Sequence, residues 1–195
     1  RWRGVIGVAD EPRPAARGAL EALRRLGVSP IVMLTGDNPQ GATAVARQVG
    51  VDEVRSHLLP EEKARAIADL RREHGGIAMI GDGVNDAPAL ASATVGIAMG
   101  AAGTAAALEA ADVALMSDDI AQVPFAVGLA RQTRRIIVQN LTIALAVIAL
   151  LIVATTTGRL GIGPAVVLHE GSTLVVISNA LRLLAYGRRH SLREK

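Results

Sequence analysis

Between Leu141 and Thr156 no residue carries a charge, and with its neighbours this run reaches the roughly 20 residues that a bilayer-spanning helix requires. A turn containing Gly158 and Pro164 separates it from a second apolar stretch running from Ala165 to about Tyr186. Two spans in succession predict a hairpin. A core helix of a soluble bundle would share this apolarity, but one of such length ordinarily keeps a polar face. The arginines set the orientation. Arg131, Arg134 and Arg135 precede the first span; Arg182, Arg188, Arg189, Arg193 and Lys195 lie at or beyond the end of the second; the connecting turn carries only Arg159. Positive charge concentrates on the cytoplasmic side of membrane proteins, so both ends of this segment are expected to be cytoplasmic, with lipid around the spans.

The sequence ahead of the hairpin has a different character. From Val5 to about Met116, short β-branched runs alternate with Ala/Leu/Arg-rich helical stretches, the pattern of an α/β fold. Strands are predicted at Val5–Ala9, Ile31–Leu34, Ile77–Ile80, Val95–Met99 and Val113–Met116. Each is apolar along its length, as parallel strands covered on both faces are. Helices are predicted at Pro14–Leu26, Pro39–Val49, Glu61–His74, Asp86–Ala91 and Thr104–Ala110. The spacing predicts a doubly wound sheet.

Composition narrows the function classes. The net charge is +3 and aromatic residues make up 2%, with no aromatic-interleaved basic patch, so a nucleic-acid partner is not expected. Cysteine is absent, which excludes disulfides within the chain and suits a cytosol-facing body. The chain starts at Arg1 without an initiating Met and is expected to lie within a longer gene product.

Candidate chemistry gathers in loops at the predicted C-terminal ends of strands, where open parallel sheets bind ligands. Thr35-Gly36-Asp37-Asn38 follows the Ile31–Leu34 strand; taken alone it also fits ordinary turn and N-cap chemistry. Gly81-Asp82-Gly83-Val84-Asn85-Asp86 follows Ile77–Ile80 and places two carboxylates four residues apart, with glycines that let a ligand approach the backbone. Such an anionic loop calls for a hard cation, and Mg²⁺ is the natural one.

The run Gly81-Asp82-Gly83-Val84-Asn85-Asp86-Ala87-Pro88-Ala89-Leu90 resembles, letter for letter, the hinge signature of P-type ATPases. Thr35-Gly36-Asp37-Asn38 resembles their second phosphorylation-domain motif, in the family's order and approximate spacing. Asp10-Glu11-Pro12-Arg13-Pro14 is similar to the return from the nucleotide domain, and Leu59-Pro60-Glu61-Glu62-Lys63 to the loop carrying a phosphate-facing lysine. The resemblance covers essentially the whole chain. It implies a haloacid-dehalogenase-like, Rossmann-like phosphorylation domain ahead of a two-helix transmembrane hairpin, with ATP and Mg²⁺ as cofactors. It further implies that Asp82 and Asp86 hold Mg²⁺, that Thr35, Gly36 and Asp37 face the phosphoryl group, that Asn85 shapes the site and that Lys63 neutralises phosphoryl charge. The family's Asp-Lys-Thr-Gly-Thr nucleophile loop does not occur in this sequence, so the segment alone is expected to be inactive. The nucleotide domain, the actuator domain and the remaining transmembrane helices become its expected partners. Two other readings stay open: a membrane-anchored haloacid-dehalogenase-like phosphatase, against which the missing Asp-x-Asp pattern argues, and a non-catalytic Mg²⁺-binding membrane module.

The second span contains His169-Glu170-Gly171-Ser172-Thr173. An ionisable residue inside a membrane helix is a functional-site hypothesis by default; a location at the membrane surface is the competing reading, because Pro164 lies only five residues upstream. A zinc-protease motif would need a second His where Thr173 stands. The run resembles that of the cobalt/zinc-type subgroup of metal-pumping P-type ATPases, which implies His169, Glu170, Ser172 and Thr173 as ligands of a transported divalent transition metal. The lysine in the first span and aspartate in the second that mark zinc/lead/cadmium-type pumps are absent. Imidazole with carboxylate suits Co²⁺, Ni²⁺, Zn²⁺ or Fe²⁺ better than Cu⁺. The expected organisation is a phosphorylation-domain part at residues 1–118, a stalk helix at 119–140, two transmembrane helices at 141–187 and a cytoplasmic tail at 188–195.

Overall fold

A computed structural model describes residues 11–82, 85–100 and 109–191. The chain divides into two units, one reaching Pro124 and the other starting at Phe125. The strand expected at Val5–Ala9 and most of the helix expected at Thr104–Ala110 lie outside the described residues.

In the first unit the elements run α1 (Ala16–Arg25), β1 (Val32–Leu34), α2 (Pro39–Val49), β2 (Glu53–Arg55), α3 (Pro60–His74), β3 (Ala78–Gly81), α4 (Ala87–Ser92), β4 (Val95–Met99) and β5 (Val113–Leu115). Helix α1 buries Ala16, Ala19, Leu20 and Leu23, the i, i+3, i+4, i+7 stripe of an amphipathic helix. Helix α2 starts where Asn38 Oδ1 accepts the Gly41 N–H at 2.8 Å and Pro39 takes the first turn; it stops at Gly50, whose φ of 80° is left-handed. Helix α3 likewise opens on a proline, with Glu62 Oε2 accepting the Leu59 N–H at 2.8 Å, half of a capping box.

All described strands pair in parallel, β1 with β2 in one ladder and β3–β4–β5 in another. Strand β2 was not expected: Glu53-Val54-Arg55 is short and carries two charges, and backbone pairing with β1 rather than apolar content makes it a strand. The core gathers Ile67 of α3, Met79 of β3, Ala89 and Leu90 of α4 and Ala98 of β4. Small residues permit that closeness. A Cβ on Gly96 would stand 2.9 Å from the Leu90 carbonyl oxygen, so α4 lies directly against β4 only while position 96 has no side chain.

The second unit contains most of α5 (Gln122–Thr156) and all of α6 (Ile162–Ser191). Most of the stretch expected as the stalk, together with the first span, lies on one helix of 35 residues. Gly158, at φ 71°, ends it, and the Arg159 and Leu160 N–H groups return to the Ala154 carbonyl at 2.9 and 3.1 Å. The turn is therefore shorter than the predicted Gly158–Pro164, and Pro164 sits in the first turn of α6, where its missing N–H has no helical partner to lose. At its far end α6 runs past Tyr186 to Ser191. Both helices are long and apolar enough to cross a membrane, and they leave Leu145, Leu150, Ile152, Val167, Leu174 and Leu184 exposed. The hydroxyls of Thr155, Thr156 and Thr157 donate to the carbonyls of Leu151, Ile152 and Val153 at 2.7–2.8 Å, so each satisfies itself on its own helix, as an apolar surround demands.

Candidate functional site

The loop after β1 is held by the residues proposed to act in it. Thr35 Oγ1 donates to Asp37 Oδ2 at 2.7 Å, while the Asp37 N–H donates back to Thr35 Oγ1 at 3.1 Å. Backbone bonds then stitch this loop to the one after β2: Thr35 N–H to Arg55 O (3.0 Å), His57 N–H to Asp37 O (2.9 Å) and Leu58 N–H to Thr35 O (3.0 Å). His57 takes a φ of 61° to make that crossing, a left-handed conformation that non-glycine residues seldom adopt. Gly36 lies so close beneath it that an added Cβ would meet the Leu58 carbonyl oxygen at 3.3 Å.

That second loop leads directly into α3, whose first turn carries Lys63. Lys63 Nζ donates to Asp86 Oδ1 at 2.8 Å, with the two side chains 16% and 15% exposed. A charged pair this sheltered gains more from mutual attraction than a surface pair, and removing one member would strand the other. Asp86 is aimed by Gly81, the last residue of β3: a Cβ there would stand 2.8 Å from Asp86 Oδ2. The sequence motif thus acquires a mechanical reading, since the absent side chain at 81 lets the carboxylate fold back over the strand end. Asp82 follows at the strand terminus and is exposed; Asn85 is exposed in the turn before α4. Gly83 and Val84 lie outside the described residues.

Mg²⁺ fits this donor set. The carboxylates of Asp82 and Asp86 are hard oxygen donors beside the end of β3. That suits a cation that keeps water and takes its remaining ligands from a phosphate.

On α6, His169 and Glu170 are exposed neighbours. The Ser172 hydroxyl donates to the His169 carbonyl at 2.6 Å, and Thr173 Oγ1 lies 3.5 Å from the same oxygen. The Ser172 hydroxyl thus directs its hydrogen at the backbone, which turns its lone pairs outward. Sequence reasoning overlooked two features. Arg13 donates to the Asp118 carbonyl and pairs with its carboxylate, both at 2.9 Å, joining the start of the described chain to the loop before α5. A cluster of Gln139, Asn140, Asn179 and Arg182 joins α5 to α6. Polar residues facing each other at the ends of two apolar runs were the available signal for the second; nothing local marked the first, whose partners lie 105 residues apart.

Residues 1–94 match the haloacid dehalogenase-like hydrolase family. The chain is 47% identical over 93% of its length to a protein of Staphylococcus aureus (strain MRSA252) named "Probable cadmium-transporting ATPase", covering 25% of that protein. It is also 47% identical over 92% of its length to "Probable cation-transporting ATPase G" of Mycobacterium bovis, covering 23% of it. Among solved structures, a zinc-transporting PIB-type ATPase in the E2.Pi state superposes with a TM-score of 0.82 at 45% identity, over 90% of this chain and 28% of that one. The chain spans about a quarter of the length of these relatives. It is a homologue of the heavy-metal-transporting P-type ATPases, with a haloacid dehalogenase-like domain followed by two apolar helices able to span a membrane.

Proposed function

We propose that this chain is the C-terminal part of an ATP-driven pump that exports a divalent transition metal, working through an aspartyl-phosphate whose nucleophile lies outside the segment. The observation that carries this reading is the Lys63–Asp86 pair, tied through α3 and the loop after β2 to the Thr35–Asp37 loop. Phosphoryl transfer is mainly positioning plus charge compensation, and the pair serves both needs.

In this reading the Thr35 hydroxyl and the backbone at Gly36 and Asp37 orient phosphoryl oxygens, Lys63 offsets their charge and Asn85 shapes the turn beside them. Asp82 and Asp86 hold Mg²⁺, which when bound neutralises charge between carboxylate and phosphate. Lys63 holds the Asp86 carboxylate in orientation through the 2.8 Å contact. ATP is brought by a nucleotide domain elsewhere in the protein, and an actuator domain and further transmembrane helices complete the pump, so the segment alone does not turn over. The spans lie in the cell membrane with both ends of the segment cytoplasmic.

The cargo is Co²⁺, Zn²⁺, Ni²⁺ or Fe²⁺, taken by His169 and Glu170 with Ser172 and Thr173 as oxygen donors. The cadmium and zinc named for the relatives support a borderline divalent ion. Metal-stimulated ATP hydrolysis by the full-length protein in detergent, measured with Co²⁺, Ni²⁺, Zn²⁺, Fe²⁺, Cd²⁺ and Cu⁺, tests the reading. Divalent stimulation that Glu170→Ala abolishes is expected; stimulation by Cu⁺ alone, or a variant indistinguishable from the parent, would remove His169 and Glu170 from the transport site.

A further inference from the structure

The hydrogen bonds that cross between the two long helices, among the described residues, all converge on one side chain. Asn179 Nδ2 donates to Asn140 Oδ1 at 2.8 Å and lies 3.2 Å from Gln139 Oε1, while Asn179 Oδ1 accepts from Arg182 Nη1 at 2.9 Å. The direction of this chain is fixed by chemistry. A guanidinium only donates, so the face of Asn179 turned to Arg182 must be its oxygen. Its NH₂ is thereby committed to α5, and Asn140 and Gln139 must answer with their carbonyl oxygens. Arg182 therefore polarises the whole array from one end.

The location gives the array a purpose. Asn140 immediately precedes the Leu141–Thr156 span, and Asn179 lies some nine residues beyond Glu170, about 13 Å along α6. Apolar side chains of two lipid-facing helices slide past one another at little cost, because lipid is as good a neighbour as a second helix. A directional amide bond does not slide.

We infer that Gln139, Asn140, Asn179 and Arg182 form a clasp that fixes the axial register of α6 against α5, and so the depth at which His169 and Glu170 are presented to the ion. These are positioning residues, and the inference rests on the pump reading above. The cluster is not itself an ion site, since Arg182 places a fixed positive charge among the amide oxygens.

The test uses the full-length protein carrying Asn140→Leu, Asn179→Leu and both together. Asn140 and Asn179 are half-buried; on an apolar helix surface, leaving one amide without its partner costs more than replacing both by apolar groups, which is close to neutral. Each single variant should raise the KM for metal about tenfold with kcat changed by less than about twofold, and the double variant should return to within about threefold of the parent. Arg182→Lys, which keeps a donor, should stay near the parent. Single effects that multiply in the double variant, or Asn179→Leu behaving as the parent, would overturn the clasp. An independent readout needs no transport. Asn140→Cys with Asn179→Cys should be joined by a short bifunctional thiol reagent in membranes, and failure to crosslink counts against the clasp alone. A protein that crosslinks yet shows no metal-stimulated hydrolysis supports the clasp and counts against the pump reading.

Discussion

Gly81 and Asp52 illustrate how single atoms govern the first unit. The hydrogen at Gly81 occupies the space a methyl group would need, 2.8 Å from Asp86 Oδ2. Gly81→Ala should therefore swing Asp86 away from Lys63, costing about 1–3 kcal/mol of stability as an overpacked site and lowering Mg²⁺-dependent phosphoenzyme formation in the full-length protein at least about tenfold; phosphorylation with labelled ATP measures it. Asp52 accepts the Ile31 N–H and an Arg24 N–H, both at 2.7 Å. First the backbone bond from Ile31, then the one from Arg24, hold its carboxyl below the usual carboxylate range. A carboxyl depressed by folding contributes stability that is complete above its unfolded value near about 4 and disappears as pH falls through the folded value. Asp52→Asn should thus cost on the order of 1 kcal/mol at neutral pH, after solvent screening, and the difference from the parent should close on acidification below about pH 4; unfolding midpoints across pH would show it. The two sites differed in legibility. The Gly81–Asp86 motif announces a ligand loop in the sequence, but the reason for its first glycine is a distance that only the folded chain contains. Asp52 gave no sequence signal, because its partners come from the end of α1 and the start of β1.

The elements with strong local signals were the readable ones. Proline at the first position and glycine beyond the last delimit α2, and the predicted Pro39–Val49 is the observed helix. Strand β4 was likewise read as Val95–Met99, since an uninterrupted apolar run suits a strand buried among others. Strand β2 escaped because three residues with charged ends have no periodicity to detect; its strand character comes from β1. The expected border between stalk and span at Asn140 marks a change from amphipathic to apolar surface; the backbone hydrogen bonds that define a helix are indifferent to that change, and α5 runs through it. A one-residue insertion after Ile137 would rotate everything beyond it by about 100° around the helix axis. The expected outcome is a full-length protein that still forms phosphoenzyme but whose ATP hydrolysis no longer responds to metal, measured by running both assays on one preparation.

At the scale of the whole molecule, the division into a parallel α/β unit and a pair of apolar helices follows from the shift in composition near Ile136, which needs no tertiary information. The hairpin's orientation does need a test. Cysteines introduced at Arg131 and Tyr186 should be labelled by a membrane-impermeant thiol reagent from the cytoplasmic side, and one at Arg159 from the opposite side; labelling of all three from one side would remove the spans. The chain spans about a quarter of the length of its relatives, and in the proposed reading His169 and Glu170 are the part of the ligand set that this sequence can nominate. Helix α5 carries one more consequence. At 1.5 Å per residue its 35 residues make a rod of about 50 Å, and a rod without a break cannot absorb a tilt midway. Inclining such a rod by about ten degrees displaces its far end by about 9 Å, a shift larger than a metal ion and its coordination shell.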